Sequence, residues 1–151
     1  MSRARYVEAP EEYTGPGPAI FLAGGIQECP DWQAEASAAL ADLDAVVLNP
    51  RRAAFPAHDP QAEEQQVAWE SCHLHRATVV LFWFAASPSH QPIALYELGM
   101  MAAGAKPLAV GAEPGYARRN NVICQLQHAR PALTVRTSLA ETIADVRKVL
   151  A

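Results

Sequence analysis

Thr78-Val79-Val80-Leu81-Phe82-Trp83-Phe84-Ala85-Ala86 contains the longest apolar stretch of the chain, Val79 to Ala86, and its reading decides the fold. The run carries no charge, does not alternate apolar with polar residues, and is rich in β-branched and aromatic side chains. That pattern predicts a strand buried on both faces, as in a parallel sheet covered by helices. It falls far short of the roughly 20 residues that a membrane-spanning helix needs. Immediately upstream, Gln61 to Arg76 predicts a helix. Immediately downstream, Pro92 suits the first turn of a helix running to Ala103, with Gly104 as its stop.

Further out, the same alternation recurs. Ala19-Ile20-Phe21-Leu22-Ala23 reads as a buried strand ending at Gly24-Gly25, whose missing side chains let a ligand or the next helix come close. Asp31 can cap a helix on which Trp32, Ala36, Ala39, Leu40 and Leu43 recur at helical spacing, and Ala45 to Leu48 follows as a strand. Beyond Gly104, Pro107 to Val110 predicts a strand, Ala117 to His128 a helix, and Leu133-Thr134-Val135 a further strand. Ser138 and Glu141 form a capping box for a last helix, with Leu139, Ile143, Val146 and Leu150 as its stripe. Strand and helix alternate about five times, which predicts an α/β fold: a doubly wound, Rossmann-like parallel sheet of about five strands with helices on both faces. Residues 1–17, with Pro10, Pro16 and two glycines, read as an arm on the surface, and residues 18–151 as one domain.

A chain of 151 residues, 50% of them apolar, supports one sizeable core. The net charge of −4 argues against a nucleic-acid partner, which wants a broad basic surface. No membrane partner is expected, and with no apolar secretion segment at the start the expected compartment is the cytoplasm. Cys29, Cys72 and Cys124 lack the paired spacing of a zinc or redox site and read as reduced, mostly buried thiols. Neither G-x-G-x-x-G nor a Walker-type loop occurs, which excludes a dinucleotide enzyme and a P-loop phosphotransferase.

In doubly wound sheets ligands bind beyond the carboxyl ends of the strands, so the loops Gly24 to Asp31, Asn49 to Pro60, Ala85 to Gln91 and Gly111 to Asn121 should line the site. Glu97 falls in the second turn of the helix after the central strand. There the helix dipole favours a charged carboxylate, and Gly99 leaves room for a neighbour. A glutamate early in a helix is also an ordinary solvated charge. Glu70-Ser-Cys-His73 has the spacing of half a di-iron site, but no second copy exists. His73 and His75 face apart, so no metal is expected.

Ile20-Phe21-Leu22-Ala23-Gly24-Gly25, the pair Trp69-Glu70 before the central strand, and Tyr96-Glu97-Leu98-Gly99 together resemble the nucleoside 2-deoxyribosyltransferase superfamily and its related nucleotide N-glycosidases. The resemblance runs from about Ile20 to Val110. It implies cleavage of the N-glycosidic bond of a nucleoside or nucleoside 5′-monophosphate, without a cofactor, through a glycosyl-enzyme on Glu97, with transfer to water or to another base. It places acid or base work at the leaving base on Glu70. It also implies a homo-oligomer in which a neighbouring subunit lends Asn120 or Asn121.

Two departures from the family pattern bear on the site. Phe21 stands where many members have a tyrosine that orients the nucleophile, so that hydroxyl must come from elsewhere, Tyr96 or a water. Gln91 stands where an acid typically faces the base. Arg51-Arg52 and Arg118-Arg119, at strand ends, can each present a guanidinium to a 5′-phosphate or be solvated surface charges. Trp32 can stack on a base or belong to the core. The substrate-binding set expected from sequence is therefore Gly24, Gly25, Trp32, Asn49, Arg51, Gln91, Tyr96, Arg118 and Asn121. The rival reading is a nucleotide-binding module that kept the pocket and lost turnover.

Overall fold

The computed structural model describes residues 5–151. In chain order its elements are β1 (Arg5–Glu8), β2 (Ala19–Gly24), α1 (Trp32–Ala39), β3 (Val46–Asn49), α2 (Ala62–Arg76), β4 (Val79–Phe84), α3 (Pro92–Ala103), β5 (Leu108–Ala112), α4 (Arg119–Ala129) and α5 (Leu139–Leu150). The five strands form one parallel sheet in the order β1-β3-β2-β4-β5. This is the doubly wound, Rossmann-like architecture expected from the apolar runs.

Because successive strand residues point to opposite faces, each central strand feeds two cores. Ile20, Leu22, Val79, Leu81 and Trp83 pack under α1 and α5. Phe21, Ala23, Val80, Phe82 and Phe84 pack under α2, α3 and α4 with Trp69, Leu98 and Leu126. Capping works as the sequence indicates: Asp31 accepts the Ala34 amide at the start of α1, and Ser138 Oγ accepts the Glu141 amide at the start of α5. Among the described residues no helix is long and apolar enough to cross a membrane.

Several expectations are corrected. Residues 1–4 of the expected arm lie outside the described residues, but Arg5–Glu8 is the edge strand β1, in register with Val46–Asn49. The link from β1 to β2 is held as well. The Tyr13 amide donates to Nε2 of buried His73, and the His73 ring stacks on Trp69 at 4.1 Å. Arg-Tyr-Val-Glu offers only Val7 to the core, too little for an apolar signal.

Leu133–Val135 is not a strand. A single bridge joins Gly111 to Arg136, because the Ser138 cap starts α5 two residues later. The helix expected from Ala117 begins at Arg119, and of the three cysteines expected to be mostly buried only Cys29 is, Cys72 and Cys124 lying on exposed turns of α2 and α4.

Candidate active site

At the carboxyl ends of β2, β3 and β4, on the face covered by α2 and α3, lies a cavity of about 460 Å³. The chain leaves β2 for β3 on one side and crosses back to β4 on the other, so the cavity sits at the switch point of the sheet. Four segments line it: Gly24 to Gln27 after β2; Pro50, Arg52 and Phe55 after β3; Glu63, Gln66, Val67 and Glu70 on α2; and Ser89 with Gln91 to Ala94 and Glu97 on the approach to α3 and in α3.

Glu97 lies on the inward stripe of α3 with Ala94, Leu98 and Met101, and is 7% exposed. Burial raises its pKa to about 8, with the charge of Glu70 adding to the rise. The dipole of α3, expected to favour the ionised form, is thus outweighed by desolvation. Glu70, from α2, also has a raised pKa through burial, pulled partly back by a hydrogen bond from Gln66 Nε2 at 3.2 Å. Two acids on two different helices therefore meet in one desolvated pocket. The charge of Glu70 opposes ionisation of Glu97, which holds its proton well above the usual carboxylate range.

Gln91 is buried at the N-cap of α3 with a left-handed backbone, φ 56°. Its Oε1 accepts the Gly25 amide at 3.0 Å and its Nε2 donates to the Ala85 carbonyl at 2.7 Å. Those two bonds offset the strain and clamp the tips of β2 and β4 together. A carboxylate here could not donate to Ala85, which explains the amide at a position where the family resemblance implies an acid. Gly24 and Gly25 are required by close approach. A Cβ on Gly24 would meet the Trp83 carbonyl and the Trp32 indole, and one on Gly25 would meet Cys29 Sγ and Gln91.

The other expected residues are placed unevenly. Trp32 is a core residue whose indole N–H donates to the Gly25 carbonyl at 3.1 Å, supporting the cavity wall from behind. Asn49 is buried; its Nδ2 donates to Tyr6 and its Oδ1 accepts the Arg51 amide. Arg51 turns away from the cavity and donates to the carbonyls of Pro30 and Cys29 and to Gln33 Oε1. Its neighbour Arg52 is the arginine that faces the cavity, with its guanidinium over Phe55 and hydrogen-bonded to Gln65.

Tyr96 is 68% exposed and, like exposed Arg118 and Asn121, lies outside the cavity. Phe21 is fully buried beside Trp69, 5.9 Å between ring centroids. Both ring nitrogens of His73 are engaged, by Tyr13 and by the Trp69 carbonyl, and among the described residues no group of three His, Cys, Asp or Glu is placed to hold a metal. Glu63, Gln66 and Val67 joined the site unanticipated. Their spacing with Glu70, at i, i+3, i+4 and i+7, was the available signal that one face of α2 lines a cavity.

A doubly wound α/β domain with one buried and one half-buried acid in a switch-point cavity belongs to the class that handles small ligands at the strand ends. The family description "Nucleoside 2-deoxyribosyltransferase like" matches residues 17–116, and the chain belongs to that family. The match spans β2 through β5 and so includes both Glu70 and Glu97. No curated protein sequence matches the chain.

Proposed function

We propose that the cavity binds a nucleoside or nucleoside 5′-monophosphate and that the protein breaks its N-glycosidic bond, passing the sugar to water or to a second base. The observation that carries this reading is the convergence of buried Glu97 and half-buried Glu70, without a cationic partner among the described residues, on one pocket. Departure of a base leaves positive charge on the sugar. One ionised carboxylate at the anomeric carbon and one proton donor at the base are the parts this requires, as in retaining glycoside hydrolysis. Glu97 attacks, its oxygen bonding to the anomeric carbon as the carbon–nitrogen pair leaves with the base. Glu70 gives its proton to that base. The glycosyl ester on Glu97 then reacts with the acceptor.

A cavity of about 460 Å³ is in the range of small-molecule sites. Arg52 is the residue proposed to meet a 5′-phosphate. The same reading includes a homo-oligomer, for which the outer face of α3, with exposed Ile93, Tyr96 and Met100, is the proposed contact.

The test is incubation with a panel of nucleosides and monophosphates, with and without a second free base. Released base identifies a hydrolase and exchanged base a transferase; binding without either supports the module that lost turnover. A 2-fluoro sugar analogue, which slows breakdown of the intermediate, should add mass to a peptide containing Glu97. Labelling of a different carboxylate would move the nucleophile elsewhere.

A further inference from the structure

Gln66 lies one turn before Glu70 on the same face of α2. Its Nε2 donates to the Pro50 carbonyl at 2.7 Å and to Glu70 Oε2 at 3.2 Å. Both partners are acceptors, which fixes the orientation of the amide: exchanging its nitrogen and oxygen would set oxygen against oxygen twice. Its own Oε1 is buried with no hydrogen-bond partner among the described residues. An unmade bond on a buried acceptor is unfavourable, and an unbranched apolar side chain would fill the same space without it. The two donated bonds, and above all the one to Glu70, therefore give a reason for an amide at this position.

We propose that Gln66 is a positioning residue: anchored on the Pro50 carbonyl, it aims an N–H at Glu70 and holds that carboxyl as the member of the acid pair that carries the negative charge. This rests on the reading of Glu70 as the proton donor to the leaving base. The groups that share the cavity with Glu70 are Glu97 from α3, Glu63 from α2 and Arg52 from the segment after β3. Without substrate the bond keeps Glu70 the stronger acid and leaves the proton on Glu97, consistent with the opposing effects of Gln66 and burial on Glu70. Turnover uses the opposite arrangement, reached when substrate binding moves the proton from Glu97 to Glu70: ionised Glu97 attacks the anomeric carbon, the carbon–nitrogen electron pair leaves with the base, the Glu70 proton passes to the base nitrogen, and Glu70 becomes anionic again. A hydrogen bond to a forming carboxylate strengthens along that path, so Gln66 acts on the transition state more than on substrate binding.

The experiment uses the full chain labelled with carboxyl-¹³C glutamate, titrated by NMR without substrate, in the native protein and in Gln66→Met and Gln66→Leu. Glu70→Gln and Glu97→Gln assign the two resonances. The Glu70 midpoint should rise by about one to two pH units in both Gln66 variants, the range of a hydrogen bond to a charged group. With a substrate found by the panel above, kcat should fall about tenfold with KM within about twofold. An unmoved Glu70 midpoint in a folded variant overturns the proposal, and so does loss of the fold in both, since stability alone would then account for the amide. A shifted midpoint in a protein that cleaves no nucleoside keeps the Gln66–Glu70 coupling and removes the N-glycosidase reading instead.

Discussion

Two cavities open at the carboxyl end of the same sheet, one on each face, and both are lined by acids. The second, of about 350 Å³, lies under α1 and α5, with Trp32 and Trp83 among its lining residues and Asp31, Glu35 and Glu113 around them. There the acids have ordinary employment. Asp31 caps α1 and lies 3.9 Å from Arg51, Glu113 accepts the Ala86 amide at 3.1 Å, and Glu35 is exposed. In the first cavity Glu70 and Glu97 are desolvated, and no ion pair forms with either among the described residues. The count of carboxylates is three in both pockets; what separates them is whether water and partners have been removed. An acid that stays solvated or capped does little chemistry, whereas one that is buried beside a second, partly desolvated acid holds a proton ready for transfer.

The largest test of that contrast is turnover. Glu97→Gln, which keeps shape and removes charge, should lower kcat by about 10⁴-fold or more, and Glu70→Gln by about 10²–10³-fold. Glu35→Gln, in the other cavity, should leave the rate unchanged, and a comparable loss there would erase the distinction.

Next comes stability against pH. The folded-state pKa of Glu97 lies near 8, above its unfolded value near 4.5, so the folded chain binds the extra proton. Its contribution is complete below pH 4.5 and is lost as pH rises through 8. Glu97→Gln, neutral at every pH, should therefore be more stable than the native protein by about 2–4 kcal/mol at pH 9 and no more stable at pH 4, as read by denaturant unfolding. Equal midpoints at pH 9 would show that Glu97 is better solvated than the geometry indicates.

The pH–rate profile sharpens the comparison further. If the working state of the pair holds one proton, kcat/KM should fall above about pH 8, by about tenfold per unit once the last proton has left. A rate that climbs through pH 8 would mean that Glu97 must be charged but that Glu70 supplies no proton. The smallest effect concerns adjacent arginines. Arg52→Ala should abolish a preference for monophosphates worth about tenfold, while Arg51→Ala should keep the preference and lower thermal stability. Inversion of those two results would mean that Arg51 leaves its carbonyl partners when substrate binds.

Most of the fold was legible because it rests on runs of identical character. Four of the five strands announce themselves by uninterrupted apolar residues, and α3 by Pro92 and Gly104 at its ends. Edges carry weaker signals. β1 has one inward residue, Val7, and is held by register with β3 and by the polar contacts of Tyr6, Glu8 and Asn49, none of which a local window can see. Leu133–Val135 looked like a strand for the converse reason: apolar composition without a paired neighbour.

In the candidate site, Glu97 and Glu70 could be named from sequence because short motifs surround them. The roles of Gln91 and Gln66 could not, since each depends on which carbonyl lies within 3 Å after folding. For the arginine pair after β3 no local feature distinguishes the two neighbours. Three acceptors, from Pro30, Cys29 and Gln33, claim Arg51 only once α1 has packed.

The pairing of β1 has a consequence for how the chain is made. β1 leaves the ribosome before its single partner, β3, and cannot join the sheet until Asn49 has been synthesised. At cellular rates of elongation that is a wait of several seconds, spent beside other unfinished chains. Arg5-Tyr6-Val7-Glu8 is suited to it: charged at both ends and with one aliphatic side chain, it is a poor template for intermolecular β-pairing. Val46-Val47-Leu48, by contrast, is a strongly apolar edge whenever β1 is missing. The polar brevity that hid β1 from a reading of the sequence is thus what lets it serve as a late-fitting cover, shielding a sticky strand from its neighbours without being sticky itself.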